Sequence, residues 1–317
     1  MPTNQTIHTI RNEIHKVVVG HETLVEGMIV ALLSGGHLLV EGVPGVAKTT
    51  AVKALADVLG FDFKRVQFTP DLLPADITGS EVLDMHSGAF SLKHGPVFTH
   101  LLLADEINRA GAKVQSALLE AMAERQVTIG ETTHPLPQPF MVLATANPLD
   151  QEGTYELPEA SLDRFMLKLH VGYNTPEEEF EIVMRVAQKG FETLTQIVDT
   201  EMFTTLQEAA RAVHIDDALT RYLLQIVGAT RDPAAFGMPE LSEAIVFGAS
   251  PRGSIDLFKA SKAQALLEGR DFVTPADIAR SAYGVLRHRI VLHYTAVAEG
   301  LTPDRVIQTI LETLPIP

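Results

Sequence analysis

The stretch that most constrains this chain is Gly42-Val43-Pro44-Gly45-Val46-Ala47-Lys48-Thr49-Thr50, preceded by the apolar run His37-Leu38-Leu39-Val40-Glu41 and followed by a helical pattern to Leu59. A strand, a loop of small residues and a helix in this order aim consecutive backbone N–H groups at one anion, with the positive end of the helix dipole behind them. The stretch therefore reads as a phosphate-binding loop of a nucleoside triphosphate site, in which Lys48 reaches the β- and γ-phosphates and Thr49 places its hydroxyl on Mg²⁺. It departs from G-x-x-x-x-G-K-[ST] at Ala47, which stands where the last glycine belongs. An alanine there predicts negative φ, a conformation it adopts without strain.

The next segments extend one α/β pattern. Lys64 to Phe68 reads as a second strand, and a strand-helix-strand unit implies a right-handed crossover and a parallel sheet. Leu101-Leu102-Leu103-Ala104 and Phe140 to Ala146 are continuous apolar runs expected of buried strands, and Phe165 to Val171 is the last strand candidate. Glycine-punctuated stretches predict two hairpins, at about 80–94, turning at His86-Ser87-Gly88, and at 126–139. Beyond Asn174 strands disappear, and helices start at a recurring device: Thr175-Pro176, Thr274-Pro275 and Thr302-Pro303, each followed by an acid. Each supplies an N-cap, a proline at the first helical position and a carboxylate in the first turn. The expected division is an αβα core over 1–173, carrying both hairpins, and a helical lid over 174–317.

Phosphoryl transfer needs a metal, an oriented nucleophile and positive charge near the γ-phosphate. Asp105, at the end of the Leu101 run, is placed to hold Mg²⁺, and adjacent Glu106 to orient or deprotonate water. Asn147, ending the next apolar strand, is placed to hold that water or a phosphate oxygen; the alternative is that Asn147-Pro148 only starts a turn.

The loop 42–49, the Leu101–Glu106 strand end, Asn147, Leu162-Asp163-Arg164-Phe165 and Ser250-Pro251-Arg252 have the order and spacing of AAA+ ATPases. Glu41 to Thr49, Asp105-Glu-Ile-Asn-Arg109 and Leu157 to Phe165 resemble the MoxR branch of that superfamily. The resemblance spans nearly the whole chain. It implies a P-loop NTPase αβα core with a parallel sheet, an all-helical lid, ATP and ADP as ligands with Mg²⁺, and assembly into a homo-oligomeric ring that is usually hexameric. In that family Arg164 corresponds to an arginine finger that reaches a neighbouring subunit's γ-phosphate, the alternative being an ion pair with Asp163. Arg109 is a second candidate for such a contact. Arg252 corresponds to the sensor 2 arginine, expected over its own subunit's nucleotide, and its place in a helix's first turn, where a cation is disfavoured, argues for a nearby anion. Gln67 corresponds to the polar residue that contacts the catalytic glutamate, and Val18, Val19 and Gly20 fall where adenine is packed. The resemblance also implies a chaperone-like ATPase acting on protein complexes, with a von Willebrand factor A domain protein as a frequent partner.

Composition bears on the alternatives. A net charge of −15 argues against a nucleic-acid-directed motor, whose affinity would come from cations neutralising phosphates. A slow ATP-dependent binding or signalling module is the other reading, and the full set Lys48, Asp105, Glu106, Asn147 and Arg164 weighs against it. The chain has no cysteine, its 12 histidines show no metal-ligand spacing, and the Met28–Leu33 run is far too short to span a bilayer. With no basic and apolar leader at its start, the expectation is a soluble, cytoplasmic protein without membrane insertion.

Overall fold

The computed structural model describes residues 3–43, 45–83, 85–86, 90–147, 155–190 and 192–317. In chain order, α1 (Thr3–Ile14) and α2 (Glu22–Ser34) lead into β1 (Leu38–Gly42), α3 (Lys48–Leu59) and β2 (Phe63–Gln67). After α4 (Pro74–Thr78) comes the hairpin of β3 (Gly79–Leu83) and β4 (Phe90–His94), then β5 (Leu101–Asp105) and α5 (Ala112–Glu124). A second hairpin, β6 (Gln126–Ile129) with β7 (Thr132–Pro135), precedes β8 (Met141–Ala146), α6 (Glu159–Leu162) and β9 (Leu167–Val171). The remaining helices are α7 (Pro176–Lys189), α8 (Thr200–Ala212), α9 (Asp217–Ala229), α10 (Pro251–Leu267), α11 (Pro275–Leu286), α12 (Tyr294–Ala298) and α13 (Pro303–Thr313).

Five strands form one parallel sheet in the order β2-β5-β8-β1-β9. Their apolar residues alternate between its two faces. Leu38, Val40, Leu101, Leu103 and Leu143 point into a core shared with α1 to α3 and the C-terminal helices. Leu39, Leu102, Ala104, Val142 and Ala144 point into a second core with α5 and the β6–β7 hairpin. The αβα architecture with a parallel sheet is thus present. The C-terminal region is mainly helical, and the all-helical expectation is corrected by a short antiparallel pair of β10 (Ile245–Phe247) and β11 (Val291–Leu292) and by a parallel bridge between His214 and Phe272.

Both expected hairpins form, although Ser87 and Gly88 of the first turn lie outside the described residues. The three Thr-Pro starts cap α7, α11 and α13 as N-cap threonine followed by proline at the first position. Ser250 does the same for α10, its hydroxyl accepting from Arg252 N at 3.1 Å.

Candidate nucleotide site

Parallel strands bring their carboxyl ends to one edge, and there the chain forms a cleft of about 380 Å³. Gly42, Gly45 to Thr50, Arg65, Gln67, Asp105, Glu106, Thr145 and Asn147 line it, so four strand ends and the α3 N-terminus meet around one space. Pro44 lies outside the described residues, and Val43 packs against the core beside the loop.

Two backbone features shape the loop. Gly45 has φ 85, which glycine accepts freely. Ala47 has φ 52 and ψ 15, which overturns the expectation of negative φ. As the N-cap of α3 it must turn the chain sharply to bring the loop amides and Lys48 into line, and a left-handed non-glycine residue costs about 1–2 kcal/mol. Lys48 Nζ donates to Gly42 O at 3.0 Å. Partial burial lowers the pKa of its ammonium, and Asp105 and Glu106 nearby act in the opposite sense.

The acidic pair is held from several sides. Thr145 Oγ1 donates to Asp105 Oδ1 at 2.6 Å and accepts from Glu106 N at 2.8 Å, so one hydroxyl fixes both residues. Arg65 donates to Asp105 Oδ2 at 2.6 Å and to Gln67 Oε1 at 3.1 Å. Gln67 Nε2 and Arg109 NH1 both donate to Glu106 Oε2, at 2.9 and 3.1 Å. Glu106 itself has φ 56 and ψ 51, a left-handed backbone that a non-glycine residue adopts only at a cost. Arg109, a candidate for a contact with a neighbour, here engages Glu106 of its own chain.

The donor set suits a hard divalent cation, because the Thr49 hydroxyl and the Asp105 carboxylate offer oxygen ligands in the same cleft. Among the described residues no three His, Cys, Asp or Glu side chains converge on a metal position. A Mg²⁺ here would depend on phosphate oxygens to complete its shell, as it usually does.

Val19 and Gly20 line a second cleft with Val171 and Tyr173 at the carboxyl end of β9, whereas Val18 is buried in the core. Val171 pairs with Gly42 of the phosphate loop, so the two clefts adjoin across one strand pair. Asn174 closes this region: its Nδ2 donates to Val19 O at 3.1 Å, and its Oδ1 lies 2.9 Å from His21 Nε2.

Arg164 and Arg252 lie elsewhere. Arg164 follows Asp163 in the turn before β9, and Met166 N bonds to His37 O at 2.9 Å, which marks the amino edge of the sheet. Arg252 NH1 reaches Asp163 O at 3.4 Å, so the helix carrying it packs at that same edge. The expectation that Arg252 covers its own subunit's nucleotide is therefore overturned: the two arginines sit together, a strand length from Lys48. The alternative of an Arg164–Asp163 ion pair is also displaced, since Asp163 Oδ1 accepts from Arg289 Nε at 2.7 Å and Arg164 bonds to Ala160 O.

Sequence reading missed Arg65, Thr145 and Arg289. Arg65 could have been found by period-two spacing from Gln67, and Thr145 by its place two residues before Asn147. Arg289 gave no local signal. Its side chain, 1% exposed, bonds Asp163, Phe165 O, Val285 O and Asp256, tying the Arg164 turn to α10 and α11.

The description "ATPase family associated with various cellular activities (AAA)" matches residues 37–167, and that of an AAA lid domain matches 240–310. The chain is 48% identical to Chaperone MoxR1 of Mycobacterium tuberculosis over 98% of its own length and 83% of that protein's. It is 31% identical to Protein MoxR of Methylorubrum extorquens, covering 96% and 93% of the two chains. A solved structure from Cytophaga hutchinsonii, described as a candidate ATPase, superposes with a TM-score of 0.94 at 46% identity, covering 99% of this chain and 96% of that one. Identity at this level over nearly the full length means that the chain belongs to the MoxR family of AAA+ ATPases.

Proposed function

We propose that this protein binds ATP with Mg²⁺, hydrolyses it to ADP and phosphate, and works as a head-to-tail ring, hexameric by family resemblance, that remodels a protein client. The observation that carries the reading is the acidic pair: Asp105 and Glu106 share one cleft with Lys48 and Thr49, and Glu106 is anchored by Gln67 and Arg109. Loop amides and Lys48 would bind the phosphates, while Val19 and Gly20 would border the base. Thr49 and Asp105 would hold Mg²⁺, which when bound neutralises charge on the β- and γ-phosphate oxygens. Glu106 would accept a proton from the attacking water, and Asn147 would orient that water or a phosphate oxygen.

Arg164 and Arg252, at the opposite edge, would meet a neighbouring copy's phosphates, so we assign both a role between subunits. Residues 1–173 would form the nucleotide core and 174–317 the lid. A chaperone role is supported by the name of the Mycobacterium tuberculosis relative, and a von Willebrand factor A domain protein fits as partner by family resemblance. Among the described residues no helix is long and apolar enough to cross a membrane, which fits a cytoplasmic setting.

ATP binding and phosphate release in two variants test the site. Lys48→Ala should lose nucleotide binding, and Glu106→Gln should bind ATP but not turn it over. An active Glu106→Gln protein would remove the assignment of the water-activating group.

A further inference from the structure

Two exposed surfaces of this protein carry opposite charge beside apolar side chains. The first is the outward face of α7. Glu178, Ile182 and Arg185 turn inward at i, i+4 and i+7, and Arg185 NH1 bonds to His15 O at 2.8 Å. The opposite face presents Phe180, Val183 and Met184, the first two 67% and 61% exposed. Glu177 and Glu179 flank this stripe, and neither makes an ion pair among the described residues. An acidic, apolar helix face of this kind is normally covered.

The second surface is a cleft of about 630 Å³ between α8, α9 and α10, beside the ends of α2 and α5. Leu224, Ile255 and Phe258 give it an apolar floor, with Leu224 and Ile255 half exposed. Its charged lining consists of Arg125, Arg211, Lys259 and Lys262, with no carboxylate. In a chain of net charge −15 this is a local reversal. The four cations make no ion pair among the described residues; Arg125 and Lys262 donate instead to the carbonyls of Gly35 and Arg211. Burial lowers the pKa of the Lys262 ammonium, a cost that an arriving carboxylate would relieve.

The two surfaces cannot meet within one chain. The base of α7 is tied to the N-terminal end of α2 through Asn174 and His21, while Leu33, Ser34 and Gly35 at the other end of α2 line the cleft. The 13 residues of α2 hold them about 20 Å apart. Because α2 runs antiparallel to β1, α7 stands at the phosphate-loop edge and the cleft at the Arg164 edge. Ile255 lies one helical turn beyond Arg252. Any stacking that brings Arg164 and Arg252 toward a neighbour's phosphates therefore brings this cleft toward the neighbour's α7.

We propose that the outward face of α7 docks in the basic cleft of the next copy, with Phe180 and Val183 on the apolar floor and Glu177 and Glu179 against the cations. The contact is heterologous, joining two different patches, and so propagates around a ring. It rests on the ring reading above and adds a contact that the phosphate site does not need.

The absence of cysteine allows a direct test in the full chain. V183C and I255C proteins are mixed with a non-hydrolysable ATP analogue and treated with a short bis-maleimide, while light scattering reports assembly. The mixture is expected to yield at least tenfold more covalent dimer than either variant alone, and a V183C/I255C chain should give a ladder ending at the ring size. Because Phe180 is exposed, F180D should fold normally and weaken self-association by at least tenfold. Assembly without the V183C–I255C product, or undiminished in F180D, overturns the docking while the ring stands. A protein that stays monomeric and uncrosslinked overturns both.

Discussion

Gln67 donates a hydrogen bond of 2.9 Å to Glu106, linking the ends of β2 and β5 through the carboxylate proposed to activate water. Gln67 is also gripped by Arg65, which bonds Asp105, so the positions proposed to hold the metal and to activate water share one chain of contacts. Gln67→Ala removes one of the two side-chain donors to Glu106 found among the described residues and leaves Lys48 and the loop untouched. Turnover should fall about tenfold with ATP affinity unchanged, because misplacing a reacting group by a fraction of an ångström costs rate rather than binding. Separate measurement of nucleotide Kd and phosphate release decides it, and a matching loss in both would point to a collapsed site instead.

Ala47 carries backbone strain that glycine would not. Ala47→Gly relieves about 1–2 kcal/mol of left-handed strain and loosens the unfolded chain by about 0.4–1 kcal/mol. The net expectation is a slight stabilisation of the free protein, on the order of 0.5 kcal/mol. Ala47→Val should destabilise by more than 1 kcal/mol, since a β-branched side chain fits this conformation worst. Urea unfolding of the three proteins without nucleotide would rank them, and a valine variant as stable as the parent would contradict the strain.

His37 gives stability a pH dependence. It is buried, accepts from Val142 N at 3.0 Å through Nδ1 and faces Met122 O at 3.1 Å through Nε2, an arrangement that suits only the neutral ring. Burial pushes its pKa down from 6.5 to about 4. The unfolded chain then binds the proton more readily, so the contribution is complete above pH 6.5 and is lost as pH falls toward 4. The full loss is about 3 kcal/mol. Buried His288 is shifted in the same direction, by desolvation and the adjacent Arg289. Thermal unfolding between pH 8 and pH 5 should show the fall, and His37→Gln should make it shallower, with His288 sustaining the remainder; an unchanged slope would mean that other groups dominate.

What was legible in the sequence was local. The start of α3 after its glycine-rich loop, the strand ending at Asp105 and the Thr-Pro caps are each defined within a few residues, and these elements form where the sequence places them. The left-handed Ala47 was not legible, because propensity describes what alanine prefers and the loop's direction is imposed by its surroundings. Nor was the placement of Arg252, which depends on how α10 packs against a turn 89 residues earlier. Arg289 was invisible for the same reason, its carboxylate partner Asp163 being 126 residues away. Periodicity and motif spacing carry no information on such pairings, which arise only when the C-terminal helices settle against the sheet.

Because Arg164 and Lys48 occupy opposite edges of the sheet, a complete site should require two chains. Arg164→Ala protein retains its phosphate loop but offers no arginine to its neighbour, and Lys48→Ala protein is the reverse. Each alone is expected to be nearly inactive. In a mixture, an Arg164→Ala chain whose nucleotide faces a Lys48→Ala neighbour has both parts. At equal amounts and random order, roughly a quarter of interfaces would be of this kind, so recovery to about a quarter of the parental ATPase rate is expected if sites act independently. The rate should follow the product of the two fractions, peaking at equal mixing. No recovery at any ratio, in protein that light scattering shows to be mixed and assembled, would mean that Arg164 does not serve the adjoining subunit.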